Sequence, residues 1–196
     1  MRMHFPFLLL CGTLMSCSVL PERVPTDLYQ LPPSTLTTTT TIPVLSGLRI
    51  ATPATADSLG GTRILAMVGN NSFQAYPDAR WAAPVPQLWR DWLLDAFWRD
   101  GRVSELSAST DGLQANVELS GMLRALHNEY VGGRGVAVIQ YDARLVNTAT
   151  RQIISSRRFE AREPVAGTSA AQLVTALGIA ANRVATEVIA WTVAEN

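Results

Sequence analysis

Few side chains in this sequence could act as a nucleophile, a general base or a soft metal ligand. The chain of 196 residues has two cysteines and two histidines. Cys11 and His4 lie in an amino-terminal stretch with a basic start and a short apolar core, the pattern of a secretory signal that is removed. Cys17 and His127 then remain, and a Ser-His-Asp triad would have to use His127 as its base. A lone histidine beside polar residues such as Asn128 and Glu129 is more often found in a turn than in a site, and a turn is what we predict for His127.

The carboxylates and glycines do not indicate a site either. Asp91 and Asp95 share a predicted helix face with Arg99, the pattern of a solvated face with an i,i+4 ion pair. Residues 132–135, Gly-Gly-Arg-Gly, lack the Lys-Ser/Thr pair of a phosphate-binding loop, and the residues after them predict a strand, so we expect a hairpin connection. We therefore predict that the protein is not an enzyme and has no catalytic, cofactor-binding or metal-ligating residue.

Cys17 is predicted to carry a lipid. It follows Leu14-Met15-Ser16 at the end of the apolar run, and this arrangement resembles the lipobox of bacterial lipoproteins. The resemblance implies that residues 1–16 are removed as a signal peptide, that Cys17 is acylated on its sulfur and its amine, and that Ser18 allows sorting to the outer membrane. Three acyl chains should make attachment close to permanent, because a second hydrophobic signal already makes it stable. The alternative is an ordinary signal peptide with a chance cysteine.

The charge balance argues against nucleic acid as a partner. All 16 basic residues are arginines, and 16 residues are Asp or Glu. Removal of the signal takes away Arg2 and no acid, so the mature chain has a net charge of about −1. Nucleic-acid binding depends on a surplus of clustered cations. The later apolar stretches are interrupted by polar or charged residues and predict no membrane-spanning helix.

The sequence divides into a stalk and one domain. Residues 17–43 are rich in Pro and Thr and predict a lipidated stalk. Within it, residues 28–31, Leu-Tyr-Gln-Leu, could dock on the domain as an edge strand. A free stalk could reach on the order of 80 Å, whereas docking would leave about ten free residues and about 35 Å. Residues 44–196 are predicted to form the folded domain.

Hydropathy periods predict the elements of that domain. Alternation predicts short strands first and then three longer ones that form an antiparallel meander with one wet face. The predicted strands span residues 48–51, 63–68, 72–76, 103–106, 116–126, 136–146 and 152–161. Helical spacing predicts one amphipathic helix over 86–100 and a second after Ser169, which forms a capping box with Gln172. We therefore predict an α+β fold, a single domain whose mostly antiparallel sheet carries both helices on one face.

Leu94 and Trp98 fall on the polar side of the first predicted helix. They lie four residues apart, so they would form a small exposed apolar patch, which is typical of a partner surface. Alternatively, the docked amino-terminal segment or a loop covers them. A homo-oligomer could use such a patch as readily as a foreign partner.

The segment from Phe73 to Trp81, which leads into the first helix, resembles the segment typical of auxiliary lipoproteins of ABC-type transport systems. The resemblance extends to residues 48–51, to residues 141–145 and to the closing helix near Trp191. Its family-motif residues are Tyr29, Leu31, Arg80 and Trp81.

This resemblance implies an accessory subunit without catalytic activity. Such a lipoprotein is anchored in the outer membrane and faces the periplasm, where it docks the MCE-domain substrate-binding protein of a lipid transporter whose permease and ATPase lie in the inner membrane. The residues alone leave an alternative open. A small lipidated domain on a Pro/Thr stalk would also suit a regulator or structural component of another envelope complex, such as a peptidoglycan synthase.

Overall fold

A computed structural model describes residues 25–37, 42–69 and 71–195 of the chain. The predicted signal peptide, the lipidation site Cys17 and most of the threonine run lie outside the described residues. Their processing and acylation therefore stay predictions.

The chain folds into a sheet of short and long strands with two helices. The strands are β1 Asp27–Tyr29, β2 Leu45–Ser46, β3 Leu48–Ile50, β4 Ala54–Thr55, β5 Arg63–Val68, β6 Ser72–Trp81, β7 Val103–Ser104, β8 Ser107–Ala108, β9 Val117–Val131, β10 Arg134–Asn147 and β11 Ile153–Pro164. The helices are α1 Val85–Asp100 and α2 Ala170–Ala194. The main sheet has the order β1-β6-β5-β9-β10-β11, with β3, β4 and β8 beside it, and β2 pairs with β7 separately.

The α+β class and the meander are confirmed, and the sheet is mixed. The long pairs β5–β6, β9–β10 and β10–β11 are antiparallel. The short strands β1, β3 and β4 join longer strands in parallel. These parallel pairs link stretches that are far apart in sequence, because parallel neighbours need a crossover connection rather than a tight turn.

Both helices pack on the same face of the sheet, as predicted. Trp89 of α1 meets Tyr141 of β10 with ring centroids 5.9 Å apart, and Trp191 of α2 meets Phe159 of β11 at 5.4 Å. Tyr141 and Phe159 are cross-strand partners, so the helices lie side by side over one face. By length and mean hydropathy, α2 could cross a bilayer, but 61% of its most apolar 18-residue window is buried in this core.

The helix ends follow the sequence signals. Ser169 caps α2 and forms the predicted capping box with Gln172, in which each side chain bonds to the other residue's backbone. The first helix begins after Pro84 and ends at Gly101, whose φ of 77° is the left-handed conformation that favours glycine.

The amino-terminal segment packs against the domain. β1 pairs in parallel with the end of β6, which places Tyr29 beside Trp81. Leu31 is only 5% exposed, and the carbonyl of Pro32 accepts a hydrogen bond of 2.7 Å from the indole of Trp92. Among the described residues, packing on the domain therefore extends back to Asp27.

A polar contact to α2 continues this docking. Asn182 Oδ1 accepts hydrogen bonds from the Ser34 hydroxyl, at 3.0 Å, and from the Thr35 amide, at 2.9 Å. Gly178 lies one turn earlier, where an added Cβ would come within 2.8 Å of the Pro32 ring. The amino-terminal segment therefore depends on a small residue and an amide side chain at neighbouring turns of α2.

β9 runs five residues further than predicted, and the turn predicted at His127 is wrong. His127 lies inside β9, opposite Val138, and is buried. The hairpin turn comes later, at Gly132 and Gly133, whose φ values of 58° and 78° suit a two-residue connection. The predicted hairpin connection at these glycines is confirmed.

Candidate partner surface

Trp98 is exposed on α1, whereas Leu94 is not. Trp98 is 60% exposed, but Leu94 is half-buried and packs against the core. The prediction of an exposed Leu94 is therefore wrong. The reason is that α1 contacts α2 as well as β3, β7 and β8, so the buried side of the helix is wider than the apolar side that helical spacing predicts.

Charged pairs and a groove surround this part of α1. The predicted i,i+4 pair between Asp95 and Arg99 is present, with 2.6 Å between nitrogen and oxygen. Both residues also line a groove of about 390 Å³ between α1 and the amino-terminal segment. Leu31, Leu88 and Trp92 supply apolar lining. Trp98 thus stands beside a groove with apolar and charged walls, a combination suited to protein recognition.

The four family-motif residues divide into three packing residues and one surface residue. Trp81 is 1% exposed, Leu31 is buried, and Tyr29 packs on the core from a half-buried position. These three hold β1 on β6. Arg80 points away from the core and is exposed.

The face of the sheet without helices carries an arginine cluster. Asp142 on β10 contacts Arg124 of β9 and Arg158 of β11, each at 2.5 Å. Arg144 and Ser156 line the same groove of about 560 Å³. Hydrogen bonds from Arg158, followed by those from Arg124, lower the pKa of Asp142 to about 2. Alternation along the predicted strands 116–126 and 136–146 predicts that Arg124 and Asp142 both face solvent, but their contact depends on the strand register.

Asp142→Asn should cost about 1 kcal/mol of unfolding free energy at neutral pH, because it removes a solvent-facing pair of contacts. Since the folded-state pKa of Asp142 is depressed, its contribution is full above the unfolded-state pKa of about 4 and is lost as the pH falls towards 2. Denaturant unfolding should therefore show that the difference in unfolding free energy between the wild type and Asp142→Asn disappears between pH 4 and 2. A difference that stays constant over this range would contradict the depressed pKa of Asp142.

His127 is a packing residue in this fold. Its side chain is 3% exposed, the edge of Phe73 packs at 5.1 Å between ring centroids, and Nε2 lies 3.4 Å from Glu129 Oε1. Burial lowers the pKa of His127, and Glu129 opposes this shift only in part. The imidazole is therefore neutral at physiological pH and lies beneath other side chains rather than in an open cleft. Within the described ranges, no three His, Cys, Asp or Glu side chains group as a metal site.

Comparisons with known proteins agree with this architecture. Protein XCC0632 from Xanthomonas campestris has a TM-score of 0.78 at 24% identity, and the match covers 86% of this chain and 96% of that one. A second solved structure, of an uncharacterised protein, has a TM-score of 0.68 at 16% identity over 86% and 99% of the two chains. The hypothetical protein CT253 from Chlamydia trachomatis has a TM-score of 0.52 at 10% identity over 76% and 97%. At these identities the matches show the fold alone.

The search of curated proteins gave no match. A family model does match, over residues 29–189, and its description is "ABC-type transport auxiliary lipoprotein component". The matched range begins at Tyr29 of β1 and ends inside α2, so it includes the docked amino-terminal segment as well as the sheet and both helices. The chain therefore belongs to the family of ABC-type transport auxiliary lipoprotein components.

Proposed function

We propose that this protein is a non-catalytic accessory subunit of an MCE-type ABC system that moves lipid between the bacterial membranes. In this proposal Cys17 carries the lipid, and the domain faces the periplasm from the outer membrane. The observation that carries the proposal is the family match over residues 29–189. The lipobox-like sequence that ends at Cys17 supports the anchor.

The burial of His127 supports a role without catalysis. A hydrolase would need this imidazole as its base, and a base must come within hydrogen-bond reach of the proton that it removes. At 3% exposure beneath Phe73, the ring could meet a substrate only after the strand packing around it opened. An accessory subunit has no such requirement.

The docked segment favours a partner near the membrane. Residues 18–26 alone separate Cys17 from β1, and they can span at most about 30 Å. A regulator that works through the cell wall needs a longer stalk than this. A partner that arrives from the opposite membrane instead meets the domain more often when the domain is held at high local concentration.

Trp98→Arg should weaken binding of the MCE-domain protein about 30-fold, because a large aromatic anchor at the centre of an interface contributes about 2 kcal/mol. Trp98 is exposed, so the variant should unfold at the wild-type temperature. The measurement is the dissociation constant for the purified MCE-domain protein. Ile153→Arg is the matched control, because Ile153 is 59% exposed on β11, away from α1. Equal losses in both variants, or no loss in either, would contradict a partner surface at Trp98.

Crosslinking in cells followed by purification and mass spectrometry tests the function itself. Recovery of an MCE-domain protein with its permease and ATPase is the expected result. Recovery of a peptidoglycan synthase instead would overturn the proposal in favour of a regulator of another envelope complex.

A further inference from the structure

Three side chains from neighbouring strands stand in one row at the edge of the sheet. Leu28 of β1 pairs with Arg80 of β6, and Arg80 pairs with Arg63 of β5. The neighbours of Leu28 and Arg80 in the strands, Tyr29 and Trp81, pack into the core. Because successive side chains alternate between the faces of a strand, the row points away from the core. All three residues are exposed, and Leu28 is 69% exposed.

The two arginines of this row lack an acidic partner in the described part of the chain. Neither guanidinium has a carboxylate oxygen within 4 Å there. Asp78 lines the same small cavity of about 120 Å³ but lies beyond that distance. Like charges directly opposite each other on paired strands are unfavourable. An anion that accepts hydrogen bonds from both guanidiniums, as a phosphate can, would relieve this repulsion.

The row lies where the chain enters the domain. Thr26 lines the cavity together with Arg63 and Arg80. From there, residues 18–26 lead back to Cys17 over a span of at most about 30 Å. If Cys17 carries the lipid, these arginines lie within reach of the headgroups of the membrane that holds the anchor.

We propose that Leu28, Arg63 and Arg80 form the membrane-facing surface of the domain. The guanidiniums bind phosphates of anionic lipid headgroups, and Leu28 enters the interfacial layer. This inference rests on the proposed lipid anchor, which supplies the attachment. The row therefore needs only to select one orientation of a domain that is already held at the surface, a task for which two cations and one apolar side chain suffice.

The test uses the mature protein as purified from cells that express the full chain and reconstituted in vesicles, with Thr26→Cys labelled by a fluorophore that lipid-borne quenchers reach only near the bilayer. In vesicles that contain phosphatidylglycerol, the probe should be quenched. Either Arg63→Gln or Arg80→Gln should lower the ratio of membrane-facing to solvent-facing molecules about fivefold. Arg134→Gln, which replaces an exposed arginine at the β9–β10 turn, should leave this ratio unchanged. In a second control the fluorophore is placed at Thr150→Cys in the β10–β11 turn, where replacing Arg63 or Arg80 should leave its quenching unchanged. Neither glutamine variant should lower the unfolding temperature, since each removes a repulsion.

Flotation of the same vesicles separates the two proposals. One outcome is that the protein floats but quenching at residue 26 does not depend on Arg63, Arg80 or anionic lipid. This result would overturn the membrane-facing surface and leave the anchor intact. Protein that does not float would overturn the anchor, and the orientation inferred from it as well.

Discussion

Replacing Gly121 by alanine should lower the free energy of unfolding by about 3–5 kcal/mol, through backbone strain and overpacking together. Gly121 lies in the buried middle of β9 with a φ of 150°, a conformation that residues with a side chain rarely adopt. A Cβ at this position would lie 2.0 Å from the carbonyl oxygen of Asp142 in β10. Since that oxygen belongs to the backbone of β10, which pairs on both sides, the strands must separate to admit the methyl group. Denaturant unfolding followed by circular dichroism measures the loss.

Gly61→Ala is the matched control for this substitution. An added Cβ at Gly61 would have no atom within 4 Å, and its φ lies outside the left-handed region. Its unfolding free energy should therefore stay within about 0.5 kcal/mol of the wild type. If Gly121→Ala were as stable as Gly61→Ala, β9 and β10 could not pair in this register, and the contact between Arg124 and Asp142 would be wrong as well.

The register of β9 also explains why the sequence predicted only part of this strand. Period-two alternation holds from Val117 to Leu123, where buried residues alternate with half-buried ones. A register shift opposite Gln140 and Tyr141 then adds a residue to β9, and such a bulge changes which side chains face the core. The four residues 125–128 are all buried. Without alternation, His127 could not be recognised as part of a strand.

Short strands and cross-strand contacts could not be predicted from the sequence for a different reason. β2, β4 and β8 have two residues each, too few to show any period. The edge strand that residues 28–31 allowed is observed as β1, but its partner lies about 50 residues away. The pairing of Arg63 with Arg80 likewise exists only because β5 and β6 pair in one particular register. Long elements carry their own pattern, whereas these contacts are fixed by tertiary packing.

The predicted exposure of the two partner-surface residues is confirmed for Trp98 and wrong for Leu94. Helical spacing placed Trp98 opposite the core, and Trp98 is exposed. Leu94 is half-buried at the edge of the core-facing side of α1, where the neighbouring elements decide burial. That Trp98 contacts a partner stays a prediction.

The threonine run does not lengthen the tether in this fold. Residues 25–37 and the chain from Ile42 onward are both described, and the segment before the run packs on α2 through Asn182. Residues 38–41 therefore connect two parts of one domain. In the proposed lipid-anchored form, the number of residues between Cys17 and the docked segment, residues 18–26, sets how far the domain can reach.

Gly178→Leu should release this docked segment. A Cβ at Gly178 would already lie 2.8 Å from the Pro32 ring, and the rigid ring cannot turn aside as a flexible side chain could. Release gives up the burial of Leu31 and the hydrogen bond from Trp92 to Pro32, together about 3 kcal/mol. Cleavage by chymotrypsin after Tyr29 should therefore become about 100-fold faster, because the protease acts on the detached state.

Ile179→Leu is the control for this variant. It makes the same leucine at the next residue of α2, where the side chain is 44% exposed, so the cleavage rate should match the wild type. Equal rates for Gly178→Leu and Ile179→Leu would show that residues 27–36 do not pack on this helix.

Release should also change how the domain meets its partner. Without docking, about 25 residues rather than nine would separate Cys17 from the folded chain, and the extended reach would grow from about 30 Å to about 85 Å. Because effective concentration falls with roughly the three-halves power of tether length, the domain should encounter a partner at a fixed distance about fivefold less often. Crosslinking in cells to the partner proposed above, an MCE-domain protein, should fall accordingly. Faster proteolysis with unchanged crosslinking would mean that tether length does not limit the encounter, and that the docked segment acts instead as a structural part of the groove beside α1.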